Sequence, residues 1–229
     1  IQKKIPILQL GKKWFVFDKF LLKQTISYGW ASAMQQATVQ LGKIGVQAIV
    51  NTMGISIAAA FTVVNRIDDF AVTPEQNIAH SMTAFMAQNR GAKKIDRMKK
   101  GFYAGLLLEC VYGFILTIVC FVFAEPIMMV FTNEKIVIIH GITYLRLISI
   151  IYVVPGITNA LQGYFRGVGK LQITLISSFT NMGLRVLAVA VFVLFFRMDM
   201  KGIPLAYLIG WIGMMIIEIP LLSKVIKEA

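Results

Sequence analysis

The sequence predicts an all-α membrane protein, a polytopic bundle of about six transmembrane helices, and three observations carry that reading. Hydrophobic residues make up 57% of the 229 residues and charged residues only 15%, far from the balance of a soluble domain. The apolar residues gather into stretches of about 20 or more, long enough at about 1.5 Å per residue to cross a hydrocarbon core about 30 Å thick. The basic residues collect between those stretches, on alternate connections.

Spans are expected at residues 26–53, 55–89, 102–124, 136–164, 171–196 and 203–223. The connections at 53–54, 124–133, 166–170 and 197–202 are short, which makes sequential helices antiparallel neighbours in a bundle. Residues 1–25 then form a cytoplasmic juxtamembrane or connecting segment, and residues 26–229 the six-helix unit. Residues 14–22 mix Trp, Phe and Leu with Lys and Asp, so they suit either a membrane-surface segment or a plain linker. The chain opens on Ile1 rather than Met, as though taken from something longer.

Charge sets the orientation. Lys3, Lys4, Lys12, Lys13, Lys19 and Lys23 precede the first span; Arg90, Lys93, Lys94, Arg97, Lys99 and Lys100 fill one loop; Arg166, Lys170, Lys224 and Lys227 flank later spans. Alternating spans put all of these on one side and only Lys135, Arg197 and Lys201 on the other, so the basic side and both termini are expected to be cytoplasmic, in a plasma membrane. The net charge of +12 is thereby explained without a nucleic-acid partner. Cys110 and Cys120 lie in one apolar run, outside any Cys/His cluster, and predict neither a disulfide framework nor a metal site. The sequence holds no H-E-x-x-H, G-x-S-x-G or Walker lysine loop, which argues against a protease, a serine hydrolase or an ATP-driven pump.

The first span carries Ser32, Gln36, Gln40, Lys43, Gln47 and Asn51 at helical spacing. The second carries Thr62, Arg66, Asp69, Thr73, Gln76, His80 and Thr83, and the fifth Thr174, Ser178, Asn181 and Arg185. Lipid cannot solvate such stripes, so they are expected to face the bundle or a wet cavity. Counting from the 53–54 turn puts Lys43 level with Asn65, Arg66, Asp68 and Asp69, about 15 Å down. Two readings stay open for this level: an ion-pair network that fixes register, or a substrate or proton relay with Asp69, on the stripe itself, as its carboxylate. Arg185 and Glu218 are level by the same count and are expected to pair for structure. Glu75 and Glu109 have no evident partner, and Pro74 and Pro155 are expected to bend their spans.

The runs Val64-Asn65-Arg66-Ile67-Asp68-Asp69-Phe70, Ala84-Phe85-Met86-Ala87-Gln88-Asn89-Arg90-Gly91-Ala92-Lys93-Lys94, Phe131-Thr132-Asn133-Glu134 and Leu161-Gln162-Gly163-Tyr164-Phe165-Arg166-Gly167-Val168-Gly169-Lys170 together resemble the C-terminal six-helix lobe of the multidrug and toxin extrusion (MATE) family. The resemblance implies a second, N-terminal six-helix lobe as partner, and export of small organic, often cationic, compounds in exchange for Na⁺ or H⁺ without ATP. It implies no cofactor, and a coupling ion held mainly in the N-terminal lobe. Departures bear on the ion: Gln35 and Gln36 stand where some branches carry an acid, and no Asp or Glu lies between Lys135 and Arg166. Lys43, where small polar residues are commoner, is expected to bias the lobe against some cations. Cavity candidates are Gln36, Gln40, Lys43, Asn65, Arg66, Asp68, Asp69, Gln76, Asn181 and Arg185. The alternatives are a lipid-linked oligosaccharide or polysaccharide flippase of the same superfamily, a non-transporting scaffold from a truncated gene, and a membrane enzyme.

Overall fold

A computed structural model describes residues 17–228, and these form a helical bundle without strands. The helices are α1 (Lys19–Asn51), α2 (Ile55–Gly91), α3 (Ile95–Val122), α4 (Ala124–Phe131), α5 (Lys135–Ser149), α6 (Val153–Gly167), α7 (Leu171–Ala190) and α8 (Gly202–Glu228), with a π-helical turn at Val191–Phe195 ending α7. Three of them, α3, α7 with its π turn, and α8, are each long and apolar enough to cross a membrane, and α5 with α6 does so as a bent pair. The helices α1 and α2 have ample length, at 33 and 37 residues. What separates them from the others is the polar stripe each carries.

Local chemistry explains the departures from the expected spans. The helix α1 starts seven residues early because Asp18 caps it, accepting from the amides of Phe20 (2.8 Å) and Leu21 (3.1 Å). Residues 19–22 therefore belong to α1 rather than to a surface segment, and residues 1–16 lie outside the described residues. Residues 124–131, expected as loop, are the helix α4; its Pro126 and Glu125 fall in the first turn, where neither costs a hydrogen bond. The fourth span is two helices meeting at 50°. Pro155 supplies the cause: its ring excludes the carbonyl four residues earlier, at Ile151, and the break falls at residues 150–152. Thr117 of α3 donates to the carbonyl of Ser149 (2.7 Å), which helps satisfy that broken end. Pro74, by contrast, sits inside an unbroken α2; Tyr112 of α3 donates to the adjacent Ala71 carbonyl (3.0 Å).

The packing order differs from simple hairpins. The α1–α2 turn is tight, with Gly54 at φ +107°, yet α1 leans on α7. Gly42 and Gly45 take the side chains of Met182 and Val186 there, so close that an added Cβ at Gly42 would meet the Met182 sulfur at 2.7 Å. On the other side α2 packs on α6, where a Cβ at Gly163 would lie 2.8 Å from the Ala79 carbonyl, and at Gly167 2.7 Å from that of Thr83. A cleft is left between α1 and α2. Two of the sequence runs quoted above meet at one end of the bundle, where Arg90 donates to the Val168 carbonyl beside Gly169, itself at φ +73°. The outer faces carry Leu107, Phe114, Ile176, Leu187 and Ile216, all exposed, as lipid contact requires.

Because the α2–α6 contacts at Gly163 and Gly167 are with backbone atoms that cannot rotate away, Gly163→Ala and Gly167→Ala should each cost about 1–3 kcal/mol. Gly183→Ala, which meets nothing within 4 Å, should be neutral or mildly stabilising. Thermal unfolding in detergent checks this, and equal melting temperatures for all three would refute the close packing.

Candidate functional site: a polar groove between α1 and α2

The cleft opens along one face of the bundle as three chambers that share lining residues, of about 320, 180 and 130 Å³. Tyr28 and Ser32 mark one end and Lys43, Asp68, Asp69 and Tyr207 the other. Its walls are α1 and α2, and its floor comes from α6, α7 and α8. Of the sequence candidates, Gln36, Lys43, Asn65, Asp68, Asp69, Gln76, Asn181 and Arg185 line it, and Gln40 is exposed on the α1 stripe.

Of the two cations that the sequence count places at this level, Lys43 pairs there and, among the described residues, Arg66 does not. Lys43 Nζ reaches Asp69 Oδ1 at 2.8 Å, with the two side chains 48% and 67% exposed, so this pair faces open groove. Arg66 is exposed and makes no ion pair among the described residues; it stands one turn from Asp69 on α2, while Lys43 arrives from the facing helix. Asp68, one residue off the stripe, is the deeper carboxylate. It accepts a hydrogen bond from the Tyr152 hydroxyl, and Lys43 and Arg185 lie within electrostatic reach. The break before α6 is what brings Tyr152 there.

Arg185 does not pair with Glu218. It is 7% exposed, and its guanidinium lies over the rings of Tyr207 (4.0 Å) and Trp211 (4.8 Å), an aromatic bed that offsets part of the cost of burial. Glu218 is buried too and accepts from Ser177 Oγ at 2.7 Å. Glu218 therefore meets α7 at Ser177, eight residues and about 12 Å of helix from Arg185, whereas Arg185 is level with Tyr207 and Trp211 of α8.

One network escaped the sequence reading. Gln35 Nε2 donates to Gln162 Oε1 (3.0 Å) and to Ser178 Oγ (2.9 Å), and Gln162 Nε2 donates to the same hydroxyl (3.2 Å). These neutral groups tie α1, α6 and α7 together where some branches were expected to carry acids. The signal was present as Asn159, Gln162 and Arg166, spaced by three and four on α6. Asn159, Gln162 and Arg166 all line the middle chamber, and no carboxylate does. Oδ1 of Asn181 and Nε of both Arg166 and Arg185 have no hydrogen-bond partner among the described residues. No group of three or more His, Cys, Asp or Glu side chains able to hold a metal occurs among them either.

The MatE family matches residues 31–191, which spans both groove walls and most of the floor. The chain belongs to the MatE family. A MatE relative, the probable multidrug resistance protein YoeA of Bacillus subtilis, is 27% identical over 213 residues, covering 90% of this chain and 46% of its own length. Among solved structures, a crystal structure of a MATE protein in the straight conformation superposes with TM-score 0.90 at 16% identity, covering all of this chain and 52% of the other. A MOP superfamily transporter from Pyrococcus furiosus, described as having a binding pocket of reverse polarity, gives TM-score 0.88 at 16% identity and covers 96% and 50%. The chain spans about half the length of the curated relatives it matches.

For this MatE chain the geometry assigns Asp68 the structural bond and Asp69 the open one. Tyr152→Phe keeps the ring and removes the donor to a partly buried carboxylate, and should cost about 1.5–3 kcal/mol. Lys43→Met breaks a solvated pair and should cost less than about 1 kcal/mol. Melting temperatures in the same detergent decide it; a larger loss from Lys43→Met would reverse the assignment.

Proposed function

We propose that this chain is the C-terminal six-helix lobe of a secondary active efflux antiporter that exports small organic compounds by alternating access, driven by H⁺ or Na⁺. The observation that carries the reading is the open polar groove. In a membrane its walls need a polar or wet surface opposite, and a second, N-terminal lobe facing this one supplies it. Family membership and the half-length coverage support the same arrangement. In this reading residues 1–25 connect the lobes, both termini are cytoplasmic, the host membrane is the plasma membrane, and the chain is not an enzyme. Rocking of the lobes exposes the groove to each side in turn, and the solvated Lys43–Asp69 pair exchanges its partners with substrate. Coupling requires no cofactor.

The charge of the groove favours a second reading of the substrate. Arg166 and Arg185 line the middle chamber, whose lining includes no carboxylate, while Glu218 and Asp68 lie within electrostatic reach of them from outside it; an acidic or neutral group therefore suits that chamber better than the organic cation implied by resemblance. The positive part of a substrate, where it has one, then lies toward Asp69 or the opposite lobe.

The full coding sequence that contains this chain, expressed in cells lacking their own exporters, should confer dye export, whereas the 229-residue chain alone in liposomes under an ion gradient should move none. Saturable, gradient-driven flux through the chain alone would defeat the half-transporter reading. Paired dyes of equal size and opposite charge separate the substrate readings: export of the anionic member, lost in Arg185→Gln, supports the second.

Orientation is checked separately. In a background without Cys110 and Cys120, single cysteines at Gly91 and Asn133 should label from opposite sides, Gly91 from the cytoplasm. Labelling of both from one side would remove the six-span arrangement.

A further inference from the structure

Two carboxylates lie behind the groove, and nothing in the groove accounts for them. Glu75 of α2 and Glu109 of α3 are both 0% exposed, and none of their four carboxylate oxygens has a hydrogen-bond partner among the described residues. Each is on the buried face of its helix. They are close enough for Glu109 to sense the charge of Glu75. The groups around them are neutral: Cys110 and Tyr112 of α3 feel both carboxyls, and the Asn159 amide of α6 faces Glu75 without reaching hydrogen-bonding geometry. Gly156 of α6 lies against Glu109, where a Cβ would meet the Glu109 carbonyl at 3.1 Å. No Lys, Arg or His among the described residues acts on either carboxyl.

Two carboxylates without a cation, fully buried inside a membrane bundle, cannot both stay ionised, because neither lipid nor neighbour compensates the charge. A metal ion needs more converging donors than this pair offers, and no metal-holding group exists among the described residues. A proton needs only a carboxylate oxygen, and the resulting O–H can then donate to the second carboxyl or to Asn159.

We propose that Glu75 and Glu109 form a proton-binding site in the α2–α3–α6 interface, loaded from the groove past Asn159. Asn159 lines the middle chamber and faces Glu75, and Gln76, the next residue on α2, lines the same chamber. On loading, hydronium in the groove gives its proton to an oxygen of Glu75 and leaves as water; on release, water takes the proton back. Pro74 precedes Glu75, so the site lies where α2 lacks a backbone donor and yields most easily. Removing the proton sets two like charges between α2 and α3 at that point and drives the helices apart, which changes the wall of the groove. That the proton drives export rests on the transporter reading; the proton site itself does not.

The test is infrared spectroscopy of the full-length protein in lipid, titrated from acid to alkaline pH. A protonated-carboxyl absorption should persist at neutral pH, fall in Glu75→Gln and in Glu109→Gln, and lose this component in the double variant, while Asp68→Asn leaves it in place. Glutamine matches a protonated glutamic acid in shape and charge, so the double variant should fold. If it does not, carboxyl chemical shifts of the native protein labelled with carbon-13 glutamate give the same answer. All glutamates ionised at neutral pH, or identical absorption in native protein and double variant, would overturn the site. Loss of proton-driven flux in the double variant, with substrate binding retained, supports the coupling role, and undiminished flux removes that role. A native protein that shows the absorption but exports nothing would defeat the transporter reading and leave the proton site standing.

Discussion

Lipid offers no hydrogen bonds, and that constraint organises the whole molecule. Polar residues at helical spacing on α1, α2, α6 and α7 cannot face acyl chains, so the helices turn those stripes toward one another and toward one open side. The close glycine contacts make this possible. With Gly42 and Gly45 letting α1 settle on α7, and Gly163 and Gly167 letting α2 settle on α6, the two helices of the first hairpin diverge. The groove between them is the result. It takes in most of the polar stripe residues, while Leu107, Phe114 and Ile216 remain outside for lipid.

The charged groups of the bundle are held in different ways, and the differences bear on what can move. Asp69 is paired with Lys43 in open groove, where water competes. Asp68 is held by a hydroxyl from a neighbouring helix, Arg185 rests on two aromatic rings, and Glu218 accepts from Ser177. Glu75 and Glu109 have only each other and an amide nearby. Devices that rely on fixed neighbours hold helices in register. The exposed ion pair and the unsatisfied carboxyls are the places where a change of partner or of protonation has the most to alter.

The prolines connect this electrostatics to bending. Pro155 ends α5 early and starts α6 at a 50° angle, and that break carries Tyr152 to Asp68 and brings Asn159, Gln162 and Arg166 along the groove floor. Pro74 leaves α2 continuous yet short of one backbone donor beside Glu75. In these two positions the softest backbone of the bundle lies next to its chemically responsive side chains.

The sequence by itself determined the fold class, most of the span positions and the faces of α1 and α2, because hydropathy and helical period are local properties that each segment carries alone. It also carried the family, through runs such as Gln88-Asn89-Arg90-Gly91 and Phe165-Arg166-Gly167-Val168, which touch where Arg90 meets Val168. Eight of the ten cavity candidates line the groove for the same reason. Counting along hairpins failed where partners come from elsewhere. Tyr152 reached Asp68 only through the bend, and Arg185 found Tyr207 and Trp211 instead of Glu218, whereas Lys43 met Asp69 within the first hairpin, at the level the count gives. The distinction between Gln35 and Gln36 is a rotation of one residue, about 100°, and only the lean of α1 onto α7 decides which one is buried in the network and which one faces the groove. The meeting of Glu75 and Glu109 likewise depends on how α2, α3 and α6 pack, since two carboxyls on separate helices become neighbours only when tertiary contacts fix the rotation of both.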